Sequence, residues 1–130
     1  MAKIALGAAP ASFPARVKFP LLGGGEGELA VEFRYRTRAQ FAAFIGELYP
    51  SIGDDAPKAK KPAAKFDLRT AADEALDRDV RHLMGAVLSW DLDDEFKAEN
   101  VKRLVDEYPA AVAALVDAYQ TAITQGHSGN

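Results

Sequence analysis

Residues 13–36 decide the fold and read FPARVKFPLLGGGEGELAVEFRYR. In the first part Val17 and Phe19 alternate with charged neighbours, which is the period of a strand with one buried face. After Pro20 and a run of glycines, a second alternating run places these apolar residues on one face: Leu29, Val31, Phe33 and Tyr35. Two alternating runs around a glycine-rich connector predict a β-hairpin.

The periodic sequence after the hairpin predicts helices. Thr37 is a residue type favoured at the N-cap, and Tyr49-Pro50 ends the helix that follows, because a residue before proline avoids the α region. The apolar stripe of that helix is Phe41, Phe44, Ile45 and Leu48. Three more stripes with helical spacing follow: Leu76, Val80, Leu83, Met84 and Val87 in a helix capped by Thr70 and ending near Trp90; Val101, Leu104, Val105 and Tyr108; and Val112, Leu115, Val116, Tyr119 and Ile123. Pro109 can start the last helix and Gly126 can stop it.

The order of these elements predicts a single domain over residues 1–130 with an α+β fold, in which an antiparallel β-hairpin or small sheet packs with about four helices. Residues 13–50 form its β-β-α part and residues 70–125 its helical part. Between them, residues 51–69 are rich in proline and lysine without an apolar period, so we expect a flexible loop. Residues 126–130 are expected to be a frayed tail.

Composition and charge exclude several classes of protein. The chain has no cysteine, so it has no disulfide framework and no thiolate nucleophile or metal site. No apolar run approaches about 18 residues, and the N-terminal segment is too poor in large apolar residues for a signal peptide, so we expect neither a membrane span nor export. Residues 1–69 carry 11 Lys and Arg against 7 Asp and Glu, whereas residues 70–130 carry 5 against 12. Opposite charges on the two halves can attract one another within the fold or between copies, although loops and solvated faces of different composition are the favoured explanation.

The densest acidic run is SWDLDDE, residues 89–95, which has the alternating carboxylates of a calcium loop. An EF-hand also requires glycine at its sixth position and an acid at its twelfth. Counted from Asp91, those positions hold Phe96 and Lys102. Carboxylates ahead of a helix that begins near Lys97 are better explained by the helix dipole, so we expect no metal and no cofactor.

Enzymatic chemistry has no clear candidates in this sequence. His82 neighbours Arg78 and Arg81, both of which precede it in the chain, and this predicts a solvated histidine on a polar helical face. Clustered, solvated acids offer no pocket that would separate the pKa values of a general acid and a general base. Trp90 is expected to be mostly core, at a seam where helices meet. The sequence therefore predicts a non-enzymatic protein.

Phosphate and nucleic-acid binding are also disfavoured. The glycine-rich connector contains Glu26 and Glu28 and is followed by a strand, whereas a phosphate-binding loop runs into a helix. The basic stretches RYRTR, residues 34–38, and KAKKPAAK, residues 58–65, could form a nucleic-acid surface. The strand alternation, however, places Tyr35 on the core face, opposite the arginines. We therefore interpret the basic residues as a solvated strand face and a polar linker, and expect no nucleic acid as a partner.

The sequence resembles the phage tail assembly chaperone families of long-tailed phages. The resemblance rests on VLSWDLDDEFKAENVKRLVDEYP at residues 87–109 and on the Ala-Tyr pair at residues 118–119. The front half matches through FPARVKF at residues 13–19 and RTRAQF at residues 36–41. The similarity extends over about residues 13–130, and its motifs are of moderate specificity.

One position departs from the family pattern. Lys97 stands where Ser or Thr would be usual as the cap of the following helix. Asp93 and Asp94 are then the alternative caps.

The resemblance implies a small non-enzymatic protein of a phage or prophage that acts in the host cytoplasm during virion assembly and is absent from the mature virion. Proteins of this kind coat the long tape measure protein, and in many such phages a frameshifted longer form also recruits the major tail protein. The expected recognition mode is an apolar groove that accepts a partner helix. The residues predicted to bind the partner are Phe41, Phe44, Tyr108, Val112 and Tyr119. The alternative function is a small structural subunit of a phage tail or of another assembly, which purified virions would contain.

Overall fold

The computed structural model of the protein describes residues 6–7, 9–49 and 68–126. Its elements in chain order are β1 (Ser12–Pro20), β2 (Glu26–Arg34), α1 (Arg38–Leu48), α2 (Leu68–Ala86), β3 (Val87–Trp90), α3 (Ala98–Glu107) and α4 (Pro109–Gln125). In these ranges an antiparallel three-stranded sheet packs with four helices, so the predicted α+β fold is confirmed. Of the loop predicted over residues 51–69, residues 51–67 lie outside the described residues, and the last two residues belong to a helix. Of the tail predicted over residues 126–130, residues 127–130 also lie outside them. None of the described helices combines the length and the apolar character that crossing a membrane requires.

The predicted hairpin is confirmed, because β1 and β2 pair antiparallel over all nine residues of each strand. The connector closes through a hydrogen bond of 3.1 Å from the Leu21 amide to the Gly25 carbonyl. Gly24 and Gly25 have φ of 101° and 82°, which L side chains rarely adopt. The glycine run therefore serves the geometry of a tight turn.

The strand β1 forms an outer edge of the sheet, whose strand order is β1-β2-β3. Its even-numbered residues from 14 to 20 are exposed, and they are Pro14, Arg16, Lys18 and Pro20. The residues between them are buried, as the alternating pattern predicts.

The strand β3 is a correction to the sequence analysis, which predicted that the second long helix continues to Trp90. The helix ends at Ala86, and Val87–Trp90 pairs antiparallel with β2 through a register shift between Glu32 and Phe33. Valine and tryptophan suit a strand, but the partner strand lies more than 50 residues away and helical spacing cannot reveal it. The pairing continues past Trp90, where the Asp91 amide donates to the Ala30 carbonyl at 3.0 Å.

The first helix begins as predicted. The Thr37 hydroxyl accepts from the Gln40 amide at 3.1 Å, and the Gln40 side chain accepts from the Thr37 amide at 2.9 Å, which completes a capping box. Within α1, which is described throughout, Leu48 is the one fully buried residue. The helix is therefore attached to the body mainly through partly buried aromatic side chains.

Two predicted helix starts are wrong, and one predicted helix end is confirmed. The helix α2 begins at Leu68, so Thr70 lies inside it and does not cap it. The helix α3 has Lys97 as its N-cap without a side-chain cap bond, so neither of the alternative aspartates caps it. Gly126 ends α4 with φ of 80°, as predicted.

The core lies between the buried face of the sheet and α2, α3 and α4. Its buried members are Ala15, Val17, Phe19, Leu29, Val31, Phe33, Leu83, Ala86, Val87, Val101, Leu104, Val105, Ala111, Val112, Leu115 and Tyr119.

Candidate partner-binding surfaces

The acidic stretch after β3 is a closed turn held by the two residues that flank it. The Trp90 indole N–H donates to the Asp94 carbonyl at 2.7 Å, and the Asn100 side chain donates to the Glu95 carbonyl at 2.8 Å. The Trp90 ring is partly buried and meets Phe96 edge-on, with centroids 5.1 Å apart. Trp90 thus lies at the margin of the core and closes a strand, whereas the sequence predicted the end of a helix.

The carboxylates of this turn do not converge on one point. Asp91 accepts a hydrogen bond from the Ala30 amide at 3.1 Å, which caps the β2–β3 ladder. Within residues 6–7, 9–49 and 68–126, no three His, Cys, Asp or Glu side chains are placed to share a metal ion.

The break between α3 and α4 exposes an aromatic side chain. Tyr108 has ψ of 68°, outside the helical range, and Pro109 starts α4 at once. The Tyr108 ring touches Phe19 edge-on at 6.4 Å and is 46% exposed. Tyr108 belongs to the apolar stripe that the sequence showed, and it is half exposed because it lies at a helix terminus, where the helical spacing no longer sets its direction.

Two depressions meet at Tyr108, and we call them together the Tyr108 groove. The larger has a volume of 480 Å³ and is lined by Pro20, Leu21, Leu22, Gly23, Glu107, Tyr108, Pro109 and Ala110. The smaller, of 70 Å³, is lined by Trp90, Leu92, Asp94, Asn100, Arg103, Leu104, Glu107 and Tyr108. Leu22 is fully exposed at the hairpin turn and Leu92 is 40% exposed in the acidic turn. Each of the two depressions thus has an exposed leucine in its lining, and the two share Glu107 and Tyr108.

The charges at the Tyr108 groove are mostly negative. Arg103 pairs with Glu107 at 3.9 Å, and both side chains are more than half exposed. Asp94 lines the groove, and Glu26 lies opposite Pro20 in the hairpin register. Neither Asp94 nor Glu26 has an ion-pair partner in the described part of the chain.

A second cluster of aromatic residues surrounds Tyr119, which is fully buried. Its ring lies 5.0 Å from Phe33, 5.6 Å from Phe41 and 6.4 Å from Phe44, centroid to centroid. This cluster joins α1 to the sheet and to α4. It therefore belongs to the intramolecular packing of α1.

The polar side of this cluster is organised by Arg36. Its guanidinium donates to the Gly85 carbonyl at 2.7 Å and to the Tyr119 hydroxyl at 2.9 Å, and it stacks 3.9 Å from the Phe44 centroid. The Tyr119 hydroxyl donates in turn to the Arg34 carbonyl at 2.8 Å. Burial raises the pKa of Tyr119, and the hydrogen bond and charge of Arg36 oppose that rise.

His82 is buried, which corrects the prediction of a solvated histidine. It is 2% exposed, shares a hydrogen bond of 3.1 Å between its Nδ1 and the Tyr49 hydroxyl, and meets Phe44 edge-on at 5.3 Å. Its Nε2 has no hydrogen-bond partner among the described residues. Burial lowers the pKa of His82, and the positive charge of Arg36 lowers it further. The two arginines that precede His82 in the sequence could not indicate that Phe44 of α1 packs against this side chain.

The other shifted groups near His82 also follow from burial. Burial raises the pKa of Asp79, and Arg78 partly offsets the rise. Burial and the nearby Asp79 raise the pKa of Tyr49. These shifts accompany the packing where the end of α1 meets α2.

The structure divides the five residues predicted to bind a partner among three places. Phe41, Phe44 and Tyr119 come together in the aromatic cluster, and Val112 is buried in the core. Tyr108 lies apart from them, on the groove that bears its name. Their role in binding stays a prediction, but of the five, Tyr108 is the most accessible in this structure.

Sequence reasoning missed the two leucines that flank Tyr108. Leu22 precedes the glycine run and has no place in the alternation of either strand, and Leu92 is a large apolar residue among four acids. Leucines at turns, outside any apolar pattern, were the signal in the sequence that could have indicated an exposed apolar surface. Proximity to Tyr108 could not be read from the sequence, because it depends on how the hairpin lies against the α3–α4 joint.

Comparison with known families gives one clear result. A family model described as phage tail assembly chaperone matches residues 1–130. The chain belongs to the phage tail assembly chaperone family. The resemblance carried by the stretch around Trp90 is therefore confirmed, and the match also includes the residues before Phe13. No curated protein and no solved structure matches this family member.

Proposed function

We propose that this protein binds the tape measure protein during tail assembly and keeps it soluble, without catalysing a reaction. The observation that carries the proposal is the family match over the whole chain. An exposed apolar surface supports it, because a protein that holds an aggregation-prone partner must cover the apolar surface of that partner, and Leu22, Leu92 and Tyr108 offer apolar contact area. The involvement of His82 in packing supports a non-catalytic role.

The same proposal includes where and when the protein acts. It works in the host cytoplasm while the tail is built and is absent from the mature virion. A longer frameshifted form brings the major tail protein to the same complex. The opposite charges of residues 1–69 and 70–130 support self-association.

Co-expression tests the central claim. The tape measure protein of the same phage or prophage genome is produced alone and together with this protein, and its soluble fraction and co-elution are measured. We expect a soluble complex on co-expression and insoluble tape measure protein alone. Equal solubility in both cases, with no co-elution, would contradict the proposal.

Analysis of purified particles separates a chaperone from a structural subunit. Mass spectrometry of mature virions should detect the major tail protein and the tape measure protein but not this chain. Its presence at a fixed ratio to tail subunits would make it a structural component. Particles purified from a strain that lacks the gene should be tailless.

A further inference from the structure

We propose that protonation of His82 detaches α1 from the body of the protein, meaning the sheet with α2, α3 and α4, while the body stays folded. This inference goes beyond the proposed function, because it concerns a conformational change of the chain alone and requires no partner.

The buried core does not depend on α1. In the described part of the chain its sixteen buried residues come from the strands and from α2, α3 and α4, and none belongs to α1. Seven of the eleven residues of α1 are exposed, and Leu48 is its one fully buried residue. A helix of this length is marginal in water by itself, and Gly46 lowers its helix propensity further. The helical state of α1 therefore depends on its contacts with the body, whereas the body keeps its core when α1 leaves.

His82, on α2, lies under the C-terminal half of α1. Its Nδ1 is 3.1 Å from the hydroxyl of Tyr49, the C-cap of α1, and its ring meets those of Phe44 and Tyr49 with centroids 5.3 and 6.0 Å apart. The residue is 2% exposed. Because both aromatic partners belong to α1 and its cap, departure of α1 gives the imidazole access to water.

The closed structure suits a neutral imidazole and not an imidazolium. In the neutral ring one nitrogen carries a hydrogen, and the Tyr49 hydroxyl can either donate to Nδ1 or accept from it. Nε2 is buried and has no hydrogen-bond partner among the described residues. Protonation places an N–H on both nitrogens, so Nε2 would become a buried donor of a charged group without an acceptor. Opening of α1 lets water accept that hydrogen bond.

The charges around His82 do not compensate an imidazolium. The ionisable side chains near it are Arg36 before α1, Tyr49 at its C-cap, Arg78 and Asp79 on α2, and Tyr119 on α4. Burial lowers the pKa of His82, and the positive charge of Arg36, which stacks 3.9 Å from the Phe44 centroid, lowers it further. Arg78 brings a second positive charge, 5.5 Å from the Tyr49 ring. Among the described residues, no carboxylate forms an ion pair with His82.

The other ionisable groups leave this histidine and one carboxyl as the sites of proton uptake. Burial raises the pKa values of Tyr49 and Tyr119 above 10.0, so both stay neutral at neutral and mildly acidic pH. Burial also raises the pKa of Asp79 from 3.8, so its protonation must be separated by a variant. On the side of α2 that meets α3, the depression lined by Glu99 and Lys102 does not include the histidine.

The direction of the pH effect follows from the two states. In the closed state the pKa of His82 lies below 6.5, and in the open state it returns towards 6.5. The open state therefore binds more protons as the pH falls through this window, and acidification favours opening. Above pH about 7.5 the ring is neutral in both states, so opening should not depend on pH there.

Native-state hydrogen exchange of backbone amides measures opening element by element. Protection factors, which correct for the intrinsic pH dependence of exchange, are compared between pH about 7.5 and about 5.5 for α1 and for residues 101–105 of α3. In wild type we expect the protection of α1 to fall by about three- to tenfold, tenfold being the limit that a pKa of 6.5 in the open state sets. The protection of residues 101–105 should change by less than about twofold. His82→Gln has no ionisable ring and should give α1 equal protection at both pH values.

The control variants assign the proton to one residue. His127→Gln removes the other of the two histidines and should respond to pH like wild type. Its single remaining histidine can be titrated by NMR, and the midpoint should coincide with the fall in α1 protection, which tests the inference even if His82→Gln does not fold. Asp79→Asn should also keep the wild-type response. Tyr49→Phe removes the hydroxyl that bonds to Nδ1 and should lower α1 protection already at pH about 7.5.

Three results would overturn the inference. The first is that α1 keeps its protection at pH about 5.5 in wild type. The second is that residues 101–105 lose protection together with α1, which would make His82 a determinant of global stability alone. The third is that His82→Gln shows the same fall as wild type, which would assign the proton to another group. None of these results bears on binding of the tape measure protein, which co-expression tests separately.

Discussion

The contact between Gly85 and Phe44 predicts opposite effects for two substitutions that look alike in the sequence. Gly85 and Gly46 each lie in the last turn of a helix, α2 and α1. A Cβ at Gly46 would meet no atom within 4 Å, whereas a Cβ at Gly85 would lie 2.5 Å from Cε1 of Phe44 and 2.9 Å from its Cζ. Alanine is therefore free of contacts at one site and collides with an aromatic ring at the other.

The magnitudes follow from two opposing effects. Replacing a helical glycine by alanine stabilises by about 0.5–1 kcal/mol when the backbone is compatible and nothing clashes. At Gly85 the ring must move by about 1 Å to restore an ordinary carbon–carbon separation. The Phe44 ring is held by Arg36 at 3.9 Å and by His82 at 5.3 Å, so it is not free to turn away. Overpacking of this kind costs about 1–3 kcal/mol, so we expect Gly85→Ala to destabilise by about 1–2 kcal/mol.

Urea unfolding, followed by Trp90 fluorescence and by circular dichroism, measures both variants. Gly46→Ala should raise the midpoint and Gly85→Ala should lower it, with unchanged slopes. In a Phe44→Ala background the ring is gone, so Gly85→Ala should become stabilising, and the double-mutant cycle gives the coupling between residues 44 and 85. The reasoning is refuted if Gly85→Ala stabilises the wild-type background as much as Gly46→Ala does.

Three further predictions concern hydrogen bonds and titration. Tyr119→Phe removes a buried hydroxyl that accepts from Arg36 and donates to the Arg34 carbonyl, so we expect a loss of about 2–3 kcal/mol in urea unfolding; a loss below about 0.5 kcal/mol would show that these bonds do not stabilise the fold. Because the folded protein lowers the pKa of His82 from 6.5, the unfolded chain binds more protons, and stability should fall as the pH drops below about 7 towards the folded pKa, by at most about 1.4 kcal/mol per pH unit. His82→Gln should remove this part of the pH dependence, which comparison of unfolding free energies from pH about 8 to about 5 will test; an unchanged slope would contradict it. Thr37→Ala breaks the capping box and should lower the free energy of unfolding by about 0.5–2 kcal/mol. Thr37→Ser keeps the hydroxyl and should retain most of that stability; equal losses in the two variants, measured by urea unfolding, would argue against the cap.

The elements that the sequence predicted well are those fixed by neighbours in the chain. The alternation around Val17 and Val31 defined both strands of the hairpin, and glycines marked the turn between them. Thr37 and Pro109 marked helix starts because capping and proline geometry act within one helical turn.

The features that the sequence did not predict depend on distant contacts. The run Val87–Trp90 continues the spacing of the preceding helix, and pairing with β2 makes it a strand. His82 has two arginines among the four residues that precede it, and it is buried because Phe44 and Tyr49 pack against it. Propensity within a short window cannot contain such information.

The candidate site also combines features that local sequence predicts with features that depend on distant contacts. The sequence identified the family and selected Tyr108, but grouped it with Phe41 and Tyr119, which lie in the aromatic cluster. Helical spacing reports which residues share a face, and it does not distinguish a face covered by the chain itself from one left open. The open surface became visible once the hairpin turn with Leu22 was placed beside Tyr108.

The prolines of β1 have a consequence for how this protein behaves at high concentration. Proline lacks an N–H, so Pro14 and Pro20 fit at positions where the main-chain nitrogen faces away from β2. The main-chain groups of the other even-numbered residues of β1 face the same way, and these residues are Ser12, Arg16 and Lys18. A strand from another molecule that approached this edge would find no donor at either proline and two positive charges between them. Proline and positive charge on an edge strand disfavour edge-to-edge strand addition, so β1 is protected against templating fibres of this chain.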